Sequence, residues 1–151
     1  MIENLALSVV MVTVTVTVHF GGLLALLYLL RRHGTGFRVQ QSLARQGLVI
    51  LLVMLGIFAI HTVEIWLYAL VFLALGTLPD FETALYFSTS TFSSVGYGDI
   101  VLPVRWRLFG AIEAPNGLIL IAWSTAFLIS LMSRLRALEH DWLEDGRGRT
   151  D

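Results

Sequence analysis

The chain has 151 residues, of which 56% are hydrophobic and only 14% charged, with a mean hydropathy of +0.78. A soluble domain carries about 25% charged residues, so there are too few charges here to cover a water-facing surface, and an integral membrane protein follows. The net charge of −1 argues against a nucleic-acid partner, whose domains carry a basic patch and a high pI, and the absence of cysteine excludes disulfides, thiolate metal sites and cysteine nucleophiles.

The first nearly charge-free stretch, Leu5 to Leu30, holds His19 alone among groups that charge near neutral pH. It exceeds the ~20 residues that cross a bilayer as a helix. Within it, Val12 to Val18 alternates Val and Thr, a strand pattern in isolation. A lone strand leaves its backbone unpaired in lipid, so the prediction is a helix, with threonines bonding back to the preceding turn or packing on a neighbour. The start Met1-Ile2-Glu3-Asn4 lacks the basic n-region of a signal peptide, and the apolar run is too long for one.

A basic loop follows, with Arg31, Arg32, His33, Arg38 and Arg45 and no acid. The positive-inside rule places it in the cytoplasm. The N-terminus and the segment from Pro79 to Arg107 are then outside, and the tail from Arg134 is inside. Arg134 and Arg136 agree, whereas Arg105 and Arg107 lie on the other side. The membrane expected is the plasma (inner) membrane. The second stretch, Gly47 to Leu78, contains only His61 and Glu64, and the third, Leu108 to Ser133, only Glu113. The three units expected are 1–46, an N-terminal spanning helix with its basic loop; 47–133, a second and third spanning helix with the segment between them; and 134–151, a short cytoplasmic tail. Leu135, Leu138 and Trp142 have helical spacing, while Gly146-Arg147-Gly148-Arg149 reads as disordered.

The chemistry lies between the second and third spans. Asp80 after Pro79, with Glu82 in the next turn, signals a helix start. The run Ala84 to Phe87 is too short to cross a bilayer, but serves as a re-entrant helix if protein surrounds it. Then comes Ser94-Val95-Gly96-Tyr97-Gly98-Asp99. Two glycines alternating with bulky residues allow positive φ at every second position, so that successive carbonyls can turn to one side. Carbonyls stacked around an axis replace the hydration shell of a cation.

Those six residues resemble the selectivity-filter signature of potassium channels, T-V-G-Y-G-D. Ala84-Leu85-Tyr86-Phe87-Ser88 is similar to the start of that family's pore helix, Gly47 to Leu78 to its outer helix and Leu108 to Ser133 to its inner helix. The first helix is an addition to that two-helix unit. The resemblance implies an all-α membrane protein with three transmembrane helices, a re-entrant pore helix and filter loop between the second and third, and a homotetrameric pore. It also implies passive potassium conduction, no enzymatic step, and no cofactor beyond the permeant ion. Val95, Gly96 and Tyr97 would coordinate potassium through carbonyls, and Ser94 through carbonyl and hydroxyl. Gly98 would shape the outer mouth and Asp99 brace the filter, with Tyr86 and Ser90 as further support. Gly117 sits near the hinge position. Ser94 replaces the usual Thr, Ser90 stands where many relatives carry Glu or Val, and Pro115-Asn116 precedes Gly117, which sets the bend earlier. The alternatives are a channel that passes sodium as well, and a non-conducting structural or sensor subunit.

Leu118, Ile121, Ala122, Thr125 and Ile129 share one helical face and are expected to line the pore. Trp123, Phe127 and Leu131 are expected to face the outer helix or lipid. His61 and Glu64, three apart, share a face and are expected to pair, with His19 near them, as a static link or a pH-sensitive contact. Glu113 is expected to play a structural part near the outer end of its helix. No span carries Arg or Lys at every third position, so a voltage sensor is not expected.

Overall fold

The structure, a computed structural model, describes residues 1–32 and 43–147, without the side chains of Leu43, Arg45 and 134–147. It contains α1 (Ile2–Arg32), α2 (Leu43–Ala74), α3 (Phe81–Phe92), a 3-10 turn at Val104–Trp106, and α4 (Arg107–Arg147). Among the described residues there is no strand. Three segments, Ile2–Arg32, Gln46–Ala74 and Val104–Ser133, are long and apolar enough to cross a membrane.

The alternating Val-Thr run is helical. Thr13, Thr15 and Thr17 donate their hydroxyls to the carbonyls of Val9, Met11 and Thr13 at 2.7, 2.9 and 2.7 Å. The second span ends earlier than predicted, at Ala74 rather than Leu78. Gly76 takes a φ of +62°, its amide donates to Leu73 O, and the Thr77 amide donates to Phe72 O. Those two bonds satisfy the last carbonyls and stop the helix, with the residue that tolerates a left-handed turn at the stop. Leu78 then folds back into the core. At the other end of the chain Gly146 and Arg147, expected as disordered, close α4, while Gly148 and Arg149 lie outside the described residues. Part of the basic loop, including His33 and Arg38, lies outside them too.

α3 packs into the angle between α2 and α4. Tyr68, Phe72, Phe109, Phe92 and Leu120 are essentially inaccessible there, with Phe72 5.1 Å from Phe87 and 5.2 Å from Phe109, ring centre to ring centre. α1 lies against both α2 and α4. Its buried face is Asn4, Ser8, Met11, Thr15, His19 and Leu23, a three-to-four-residue repeat. Its other face exposes Val9, Val10, Phe20 and Leu24. α1 therefore turns Asn4, Ser8, Thr15 and His19 inward, while the exposed Thr13 and Thr17 bond back to their own helix, the arrangement a helix needs when its surroundings are lipid.

Candidate functional site

The segment after α3 is built from its own helix. The Asp80 carboxylate accepts the Thr83 amide at 2.8 Å and the Thr83 hydroxyl at 2.9 Å, capping α3. The Thr83 backbone N–H holds the Asp80 carboxyl below its ordinary range. At the C-terminal end, the Ser94 amide donates to Thr91 O at 2.9 Å, and the Gly96 amide reaches back to Ser90 O at 3.0 Å. The chain is thereby folded across the end of α3.

From Ser94 onward the backbone alternates. Ser94, Gly96 and Gly98 have φ of +60°, +54° and +75°, while Val95 and Tyr97 between them do not enter the positive region. Positive φ is a conformation that glycine adopts without cost and that is uncommon for a residue such as Ser94. Residues 93–99 are all exposed, including Val95 at 55% and Tyr97 at 71%.

Side chains tie this strip to the protein behind it. The Tyr86 hydroxyl donates to Asp99 Oδ2 at 2.7 Å, and the Ile100 amide to Asp99 Oδ1 at 3.0 Å. The Tyr86 and Tyr97 rings stack at 6.3 Å. The Tyr86 hydrogen bond holds the Asp99 carboxyl below its ordinary range and raises the Tyr86 phenol. Ser90 donates to Phe87 O within its own helix at 3.0 Å and serves the strip through its carbonyl. Ser94 donates its hydroxyl hydrogen to Ala114 O on α4 at 3.3 Å.

α4 meets this region at Gly117. A Cβ there would lie 2.1 Å from the Phe92 carbonyl oxygen, so the end of α3 rests on bare α4 backbone. Pro115, without an N–H, interrupts the α4 ladder just before that contact. Leu118, Ala122, Thr125 and Ile129 are exposed on one side of α4, with Ile121 half-buried. The opposite side buries Glu113, Asn116, Leu120 and Ser124. Trp123, placed by sequence toward the outer helix or lipid, is 39% exposed and leans on α1, 5.3 Å from His19 and 6.3 Å from Phe20.

The polar residues of the spans gather into one seam between α1, α2 and α4. At one end Asn4 donates to Arg105 O at 2.8 Å and accepts the Phe109 amide at 3.3 Å. In the middle, Asn116 donates to Thr15 at 2.9 Å and Tyr68 at 3.1 Å. Deepest, Glu64 bonds His19 Nδ1 at 2.9 Å and His61 Nδ1 at 2.8 Å, and Ser124 Oγ faces both Nε2 atoms. The two Glu64–histidine separations are shorter than the ~3.3 Å between neighbouring ligands of a tetrahedral metal with 2.0–2.1 Å bonds; they are hydrogen-bond lengths. Glu113 bonds Ser88 of α3 at 2.5 Å. Ser88 also lies 3.0 Å from Ile65 O, which links α2, α3 and α4. Sequence reasoning singled out His19, His61, Glu64 and Glu113 but missed Asn4, Thr15, Tyr68, Ser88, Asn116 and Ser124. The signal for the α1 members was present: Asn4, Ser8, Met11, Thr15 and His19 follow one helical stripe.

Residues 48–134 match the family described as an ion channel. The match spans more than half of the 151 residues and takes in nearly all of α2, all of α3, the alternating strip and α4 as far as Arg134. The chain belongs to this ion-channel family. No curated protein and no solved structure matches it. The protein is accordingly a membrane protein of ion transport, with α1 outside the matched unit.

Proposed function

We propose that four copies of the chain surround one pore that passes potassium selectively and passively across the plasma membrane. The observation that carries this reading is the alternation of φ at Ser94, Gly96 and Gly98 within Ser94-Val95-Gly96-Tyr97-Gly98-Asp99. Such a strip offers a row of carbonyls. One chain supplies one row, and enclosing a dehydrated cation takes several rows around an axis.

Exposure supports closure by further copies. The polar backbone of residues 93–99 cannot face hydrocarbon, so it lines water or meets other copies. α3 has 12 residues and is too short to span. It acts as a re-entrant helix whose negative C-terminal end points toward the pore. Ser94, Val95, Gly96 and Tyr97 bind the ion. Ser94 commits its hydrogen to Ala114 and keeps its oxygen lone pairs for the cation. Tyr86 and Asp99 brace the strip, and Gly98 shapes the outer mouth. The exposed α4 face from Leu118 to Ile129 lines the pore below, with Gly117 at its bend. The N-terminus lies outside and the tail in the cytoplasm, because the arginines after α1 stay inside.

The test is ion flux into liposomes carrying the purified protein. Potassium flux should exceed sodium flux by at least about tenfold, a discrimination of 1.4 kcal/mol. Equal fluxes would make it a non-selective cation channel, and folded tetramers without flux a non-conducting subunit.

A further inference from the structure

The deepest tier of the seam is a closed ring. Glu64 Oε1 lies 2.9 Å from His19 Nδ1, and Oε2 2.8 Å from His61 Nδ1. His61 Nε2 lies 3.1 Å from Ser124 Oγ, and His19 Nε2 lies 3.4 Å from the same oxygen. Four links need four hydrogens, one each. Ser124 brings one, two neutral imidazoles bring one each, and an ionised carboxylate brings none. The ring is one hydrogen short.

One added proton completes it. The net charge is then zero wherever the proton rests, whether as an imidazolium beside a carboxylate or as a carboxyl between neutral imidazoles. Without it, one link sets lone pair against lone pair and leaves a negative charge among side chains of which His19 and Glu64 are 0% exposed. With a second, two hydrogens oppose each other and the charge is positive. Both departures leave an uncompensated buried charge, which is costly.

We infer that this ring is a binding site for one proton per subunit, and that the bound proton fastens α1 to the channel unit. This goes beyond the potassium reading and does not depend on it. His61, 14% exposed in its side chain, is the point of entry. The 3.4 Å corner between His19 and Ser124 is the loosest, so loss of the proton parts α1 from α4 first. α3 presents the Phe92 ring to His61 at 5.8 Å and no titratable group. The other titratable groups buried on the packed helices have their own partners: Tyr68 of α2 is bonded by Asn116, and Glu113 of α4 by Ser88. Glu3 of α1 pairs with Arg105 at the far end.

The proton count fixes the pH response. In the unfolded chain the two histidines, each titrating near 6.5, hold one proton between them at about pH 6.5. Above that pH the unfolded chain holds fewer protons than the ring, and stability falls as pH rises. Below it the unfolded chain holds more, and stability falls as pH drops. Thermal unfolding of the full chain in mild detergent, from about pH 5 to 9, should therefore give a midpoint that peaks near pH 6.5. Above the peak the folding constant should fall by up to about tenfold per pH unit. His19→Asn should flatten that dome, with the remaining histidines and the N-terminus as its built-in control. The wild-type curve decides the matter even if the variant does not fold. A flat wild-type curve overturns the inference. So does a midpoint that a chelator lowers and zinc restores, because a metal then holds the cluster. Potassium flux on the same preparation reports separately: a dome without flux breaks the channel reading alone, and flux without a dome breaks the ring alone.

Discussion

The alternating strip and the polar seam treat their polar groups in opposite ways. Residues 93–99 are all exposed, although the Ser94 and Gly96 amides and the Ser94 and Asp99 side chains are tied to the same chain behind them. In the seam, His19, Glu64, Thr15 and Glu113 are fully buried, and partners come from three or four helices of one chain. Ser8 Oγ and Glu113 Oε2 alone among the described buried side-chain atoms lack one. A group that is to meet ions or other subunits must be left unsatisfied within its own protomer. A group that only holds helices together must be satisfied there, since no water is at hand. On the proposed function, the contrast separates what conducts from what supports.

Changes to the strip should affect conduction far more than folding of the subunit. Gly96 has a φ of +54°, and nothing lies within 4 Å of a Cβ added there in one chain. Gly96→Ala then costs about 1 kcal/mol per subunit for the left-handed backbone, about 4 kcal/mol for a ring of four, or roughly a thousandfold. Potassium flux should be lost at about that level while tetramers still form on a sizing column. Undiminished selective flux would remove the strip from the pore.

Gly117 joins the two regions and should fail in both respects. Gly117→Val forces Phe92 and α4 apart, a clash against backbone rather than a flexible side chain. Such overpacking costs about 1–3 kcal/mol or more. A thermal midpoint unchanged from wild type would show that α3 does not rest on α4 there.

In the seam the damage should appear as lost stability. Glu113→Ala removes the bond that ties α4 to Ser88, while Ser88 keeps Ile65 O as an acceptor, and should cost about 0.5–1.5 kcal/mol. Glu113→Gln keeps an amide that can bond the Ser88 hydroxyl and should cost less than half of that by thermal unfolding. Equal losses would show that the link to Ser88 is not what Glu113 provides.

Tyr86→Phe deletes one hydrogen bond behind the strip. Assembly should be unchanged, and the sodium share of the flux should rise. Because the Tyr86 hydroxyl depresses the Asp99 carboxyl, the bond contributes above the ordinary carboxylate value near 3.9 and is lost only as pH falls through the lower folded value. The difference between variant and wild type should therefore stay constant from about pH 5 to 8 and vanish in stronger acid. The smallest effect belongs to Arg105→Ala. Its 2.8 Å pair with Glu3 is exposed on both sides, and neither flux nor midpoint should change measurably.

Three spanning helices, the N-cap at Asp80 and the Ser94–Asp99 string were legible in the sequence, because each rests on a local property: a run long enough to cross lipid, a capping side chain, a glycine at every second position. The approach of His19 to His61 and Glu64 was legible only as a neighbourhood, from the cost of leaving three ionisable groups in lipid. That Ser124 closes their ring, that Asn116 joins Thr15 to Tyr68, and that Trp123 leans on α1 were decided by tertiary packing. Each depends on which face of one helix meets which face of another across 48 to 105 residues of chain, and a serine or asparagine in an apolar span carries no mark of its partner. The role of Gly117 had the same origin: a glycine in a helix reads alike as a bend or a contact, and only the Phe92 carbonyl lying against it shows that a side chain there has no room.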